Sequence, residues 1–121
     1  MNTILWVVQG VLGVAFLYSG ICKSLKPEPW LITHGQTGVV GLPGIMIKLI
    51  GISEILGVAG LILPVWLNIS PELTTVSAIC FCILMLLAMR IHYKLREPKN
   101  VMVNITLFLL SALVAYGRSG L

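Results

Sequence analysis

Apolar residues run along this chain in four blocks, 3–22, 42–63, 71–89 and 101–117, and polar or charged residues gather in the intervals between them. Each block is 17 to 22 residues long. At about 1.5 Å per helical residue that crosses a hydrocarbon core of about 30 Å, the last block only just. The pattern predicts an all-α chain: an integral membrane four-helix bundle with antiparallel neighbours, a single domain over residues 1–121. What remains for loops and ends is too short for a separate soluble domain.

The punctuation agrees with these blocks. Pro64 is expected to close the second helix, Ser70-Pro71-Glu72 reads as an N-cap, a first-position proline and a first-turn acid, and Pro98 precedes the fourth helix. The turn between the second and third blocks is short, which makes those helices antiparallel neighbours. Residues 23–41 form a long connection with Pro27, Pro29, Trp30 and His34, expected in the headgroup region with room for one interfacial turn. The first block is read as a helix and not as a signal peptide, because nothing basic precedes it and no small-residue cleavage site follows. Ser19-Gly20-Ile21-Cys22 fits a lipoprotein cleavage site poorly, since Ile21 is large.

Composition sharpens the picture. With 58% hydrophobic and 10% charged residues and a mean hydropathy of +1.03, the chain is built to dissolve in lipid. The net charge of +4 matters less than its placement. Lys23, Lys26 and Lys48 flank the first connection and Arg90, Lys94, Arg96 and Lys99 the third, whereas the opposite side has only Arg118. By the positive-inside rule the basic loops are cytoplasmic and both termini lie outside. Trp6, Trp66 and Tyr116 on one side, with Trp30 and Tyr93 on the other, fall at interfacial belt positions. An ordinary topology signal accounts for the basic residues of 90–99 as well as contact with anionic lipid does.

Two polar stripes stand out. Gln9, Gly13, Phe16, Gly20 and Lys23 share one helical face, and Asn104, Phe108, Ser111, Ala115 and Arg118 repeat the spacing in the last block. Polar residues that share a stripe with small ones face other helices, so these stripes predict the bundle interior. Glu54 is a different matter. It lies near the middle of the second block, where a carboxylate must be protonated, paired with a cation or turned to a polar cavity. Lys48 is poorly aligned with it, so a partner on another helix, Lys23 or Arg90, is expected. Gly51 and Gly57 lie a turn to either side and allow a helix or a flat ligand to approach closely. Whether Glu54 holds the bundle together or serves a ligand is left open by the sequence.

Other chemistry is sparse. Cys80 and Cys82 point about 200° apart on a helix and Cys22 lies at a membrane edge, so the three cysteines read as small apolar fillers. His34 and His92 without clustered Cys or acids give no metal site, and no histidine lies within a span to hold a haem. No phosphate loop, nucleotide fingerprint or Ser-His-Asp set occurs, no catalytic residue can be assigned, and nothing indicates nucleic acid.

The order and spacing of three segments carry a likeness to a known family. The helix end Phe16-Leu17-Tyr18-Ser19-Gly20-Ile21-Cys22-Lys23, the run Leu49-Ile50-Gly51-Ile52-Ser53-Glu54-Ile55-Leu56-Gly57 followed by Gly60-Leu61-Ile62-Leu63-Pro64, and Val114-Ala115-Tyr116-Gly117-Arg118 resemble the DoxX-like family of small four-helix bacterial membrane proteins. The resemblance implies a bacterial inner-membrane protein and a role as an accessory subunit of a quinone-linked redox complex, with quinone as the possible cofactor and a partner membrane or redox protein. It transfers no catalytic motif beyond the position of Glu54 and of Lys23. The competing readings are a binding or transport protein for an apolar small molecule or lipid, and a structural partner without its own site. In the binding readings the candidate residues are Glu54, Gln9, Lys23, Asn104, Gly51 and Gly57.

Overall fold

The computed structural model describes residues 2–119, and among them all regular structure is helical. Four long helices, α1 (Asn2–Leu25), α3 (Gly44–Leu67), α4 (Glu72–Lys94) and α5 (Pro98–Arg118), are each long and apolar enough to cross a membrane. The chain is a multi-pass membrane protein in a lipid environment. Between α1 and α3 lie a short helix, α2 (Glu28–Thr33), and a 3-10 turn, Thr37–Val39.

All four long helices extend beyond the apolar blocks, and two boundary expectations are corrected. Pro64 does not close its helix. α3 continues to Leu67, and Asn68 ends it in the left-handed conformation (φ 54°), with the Asn68 and Ile69 amides donating to the Val65 and Pro64 carbonyls. A proline in the last turn loses only its own N–H bond, and its carbonyl is still used by the turn that follows. Ser70 does not cap α4 either. It sits at φ 46° in the tight α3–α4 turn, and Pro71 occupies the cap position with no side-chain bond. Pro98 is the first residue of α5, where its missing N–H costs nothing.

The buried face of α3 runs through Ile47, Gly51, Glu54, Val58 and Leu61, and that of α1 through Leu5, Gln9, Leu12, Phe16 and Gly20. Steps of three and four make each a single helical face. Apolar residues on the remaining faces, such as Val14 and Leu56, are exposed from the bundle and so meet lipid. Because lipid tails are as apolar as leucine, close packing and interhelical bonds hold such helices together.

That requirement is met unevenly along the bundle. The most extensive packing is within two helix pairs, α1 with α3 and α4 with α5. At the end carrying the termini the pairs are stitched to each other. Arg118 Nε donates to Gln9 Oε1 at 2.8 Å, its Nη1 donates to Asn2 Oδ1 at 2.7 Å, and Gln9 Nε2 donates to the Leu61 carbonyl at 2.8 Å. Phe16 stacks on Phe81 at mid-bundle, ring centroids 4.0 Å apart. Toward the basic end a cavity lies between the pairs, and the 26–43 connection docks there, burying Leu31 and Val39 with Cys22 and Ile47 in a second small core. The connection is therefore part of the packed structure.

Within the α1–α3 pair the closest approach is glycine on glycine. A Cβ on Gly20 would lie 2.8 Å from the Gly51 carbonyl oxygen, and one on Gly51 would lie 2.7 Å from the Gly20 carbonyl oxygen and 2.8 Å from Lys23 Cβ. Neither neighbour is a side chain that can swing aside at its tip. Gly51→Ala should therefore lower the thermal unfolding midpoint of the purified protein markedly, while Gly10→Ala, whose Cβ meets nothing within 4 Å, should leave it unchanged or raise it slightly.

Candidate functional site

The glycine crossing brings α1 and α3 close enough for Lys23 to reach Glu54. Lys23 Nζ lies 2.7 Å from Glu54 Oε1, and the two side chains are 16% and 2% exposed. Lys23 stands in the last turn of α1, Glu54 in the middle of α3, so the lysine stem spans the depth between them along apolar surface. Of the two cations expected as partners, Lys23 fills the role; Arg90 is exposed. The pair does not exhaust the carboxylate. Glu54 Oε2 is buried with no hydrogen-bond partner among the described residues, and the same holds for Asn104 Nδ2 on α5.

Glu54, Lys23 and Asn104 all line one cavity of about 690 Å³ between the helix pairs at the basic half of the bundle. Its wall is mostly apolar: Phe16, Ile50, Met85 and Leu107 contribute from the four long helices, and Val39 and Leu42 from the connection. Gln36 and His92 add polar groups at the connection side.

The other candidates stand apart from this cavity. Gln9 ties α1 to α3 and α5 near the termini through Leu61 and Arg118. Gly51 is consumed by the α1 contact. Gly57 faces α4, where an added Cβ would come within 2.6 Å of the Phe81 ring. Both glycines serve helix packing, so a flat ligand does not approach Glu54 along them.

One group at the cavity rim had no signal in the sequence. His92 Nδ1 lies 2.7 Å from Glu97 Oε1, and the Thr37 hydroxyl donates to the same oxygen at 2.8 Å. Helical spacing does not put residues five apart side by side. The contact forms because Arg96 adopts φ 58° and ends α4, with the Glu97 amide donating to the His92 carbonyl and the Arg96 amide to that of Tyr93. That turn folds Glu97 back beside His92. Thr37 then joins the docked connection to the α4–α5 turn, and the neighbouring Gln36 accepts from Ser19 of α1 at 3.4 Å. The hydrogen bonds from His92 and Thr37 hold the Glu97 carboxyl below its ordinary value. Among the described residues no group of three or more His, Cys, Asp or Glu is placed to hold a metal ion.

With the geometry in view, the profile of the DoxX-like family matches residues 7–114, nearly the whole chain, and the chain belongs to that family. No curated protein and no solved structure matches it.

Lys23→Met leaves a buried carboxylate without its cation, at a cost of about 3 kcal/mol. The double variant Lys23→Met/Glu54→Leu removes that charge as well. Its unfolding free energy in mixed micelles should therefore exceed that of Lys23→Met alone. The Thr37–Glu97 latch follows acid with a definite sign. A carboxyl whose folded value is depressed contributes stability above its unfolded value, near 4.5, and loses it as pH falls through the lower folded value. Trp30 fluorescence in a Trp6→Phe/Trp66→Phe background should report opening of the connection below that range, and Glu97→Gln should remove the pH dependence.

Proposed function

We propose that this DoxX-like protein is a membrane-embedded binding protein for a lipid-soluble molecule with a polar head, held with the head beside the Lys23–Glu54 pair and its apolar part against the apolar wall between the helix pairs. The observation that carries this reading is the cavity. Its volume of about 690 Å³ lies within the range of small-molecule sites, and its mostly apolar wall holds a few convergent polar groups, among them an intramembrane ion pair. Ionisable groups kept inside a bilayer are costly, and in membrane proteins they mark ligand or ion sites more often than plain packing.

The narrower form of this reading takes the molecule to be a quinone and the chain to be an accessory subunit of a quinone-linked redox complex, with a partner protein supplying the electron-transfer cofactor. The family resemblance supports it, and the cavity has the size and character for a quinone ring. The charge asymmetry supports an orientation with the cavity half toward the cytoplasm and both termini outside, in a bacterial inner membrane.

Protein purified in mild detergent should carry a lipid-soluble molecule at near-stoichiometric amount, read by mass spectrometry of an organic extract. Ala88 lines the cavity, and Ala88→Phe should lose that molecule while keeping the helical circular dichroism of the parent. Wild-type and filled variants giving the same extract would contradict the reading.

A further inference from the structure

The polar atoms left without partners define the head group this cavity accepts. Glu54 Oε2 and Asn104 Nδ2 are both buried and both lack a hydrogen-bond partner among the described residues. Their side chains line the same cavity, one from α3 and one from α5. One is an acceptor only, an oxygen of a carboxylate whose other oxygen is engaged by Lys23; the other is a donor only. Buried polar groups are nearly always satisfied, and an unsatisfied charged one is the most costly kind. A ligand that resolves both must donate one hydrogen bond and accept another with its head.

We infer that the site takes a neutral amphiphile with a hydroxyl head, a phenol or an alcohol, whose O–H donates to Glu54 and whose oxygen accepts from Asn104. The inference rests on the binding reading above and narrows it. A carboxylate or phosphate head at this position would set a second anion against Glu54, whose lysine is already engaged on Oε1; the other strongly basic side chain of the wall, Arg90, is exposed, so the repulsion at Glu54 stands against such a head. A purely accepting head, a methyl ether or a ring carbonyl, satisfies Asn104 and leaves Glu54 Oε2 unpaired. For a quinone-type ligand, this selects the reduced, hydroxyl-bearing form over the oxidised one. Discrimination of this kind is strong because the penalty falls on a buried group of the protein and not on the ligand.

The test uses the full-length protein in lipid nanodiscs and three probes that share one tail: 4-nonylphenol, 4-nonylanisole and 4-nonylbenzoate, each titrated against matched protein-free discs. The phenol should bind about tenfold or more tightly than its methyl ether, the size of a lost hydrogen bond to a charged group, and the benzoate should show no binding above the discs. Glu54→Gln supplies an amide that donates as well as accepts, so the phenol-to-ether ratio should fall toward one. Asn104→Leu keeps the Lys23–Glu54 pair intact and should weaken phenol and ether alike. Equal binding of phenol and ether by the wild type overturns the head-group inference while leaving the binding site standing. So does an Asn104→Leu protein that is less stable but binds phenol as the parent does, since Asn104 and Glu54 would then serve only each other. Failure of all three probes to bind would remove the binding reading itself.

Discussion

The structure depends on a carboxylate that has to be kept inside a bilayer. Glu54 is 2% exposed at the middle of α3, where an unpaired charge costs several kcal/mol. Its cation, Lys23, belongs to a different helix and reaches it because Gly20 and Gly51 let the two backbones touch. The ion pair and the glycine contact are thus one device. The glycines set the distance over which the lysine stem can act, and the ion pair gives α1 and α3 a reason to stay together in a solvent that supplies no hydrophobic force between helices. The rest of the bundle is arranged around this tight pair.

A second consequence follows from where the cross-pair bonds are spent. Gln9, Arg118 and Asn2 tie the pairs together at the end carrying the termini. At the other end no such stitching is present among the described residues, and the 26–43 connection fills part of the gap. It is anchored by Leu31 and Val39 in a small core and by Thr37 on Glu97. The cavity is what these constraints leave over: a space bounded by four helices and a docked connection, with the ion pair on its wall. The same bundle therefore has a rigid half and a half whose closure rests on a few polar contacts near its rim.

Much of the architecture was legible in the chain because membrane physics leaves few choices. Four apolar blocks admit only helices, the stripe through Gln9 and Gly20 predicts the interior, and an acid at residue 54 had to be protonated, paired or turned to a polar cavity, with Lys23 and Arg90 as the cations expected from other helices. What escaped the sequence depends on backbone conformations it does not signal. Arg96 and Ser70 adopt positive φ without being glycine. The first folds Glu97 onto His92, which no helical spacing suggests, and the second removes the cap expected at Ser70. Gln9 illustrates a subtler limit: its stripe places it inside, yet the stripe does not say at which depth the cavity lies, and Gln9 turns out to bond Leu61 and Arg118 at the far end. The separation of Gly57 from Gly51 has the same origin. They share a stripe on α3, but one meets α1 and the other the Phe81 ring of α4.

The central claim is that the Lys23–Glu54 pair forms the polar floor of a ligand site and is not solely a brace. A crystal structure grown from a lipidic mesophase tests it most directly. The account predicts elongated non-protein density in the cavity, with its head within hydrogen-bonding distance of Glu54 and Asn104 and Lys23 still on the opposite carboxylate oxygen. A cavity filled by inward movement of the 26–43 connection, with Glu54 bonded to Lys23 and Asn104 alone, would contradict it.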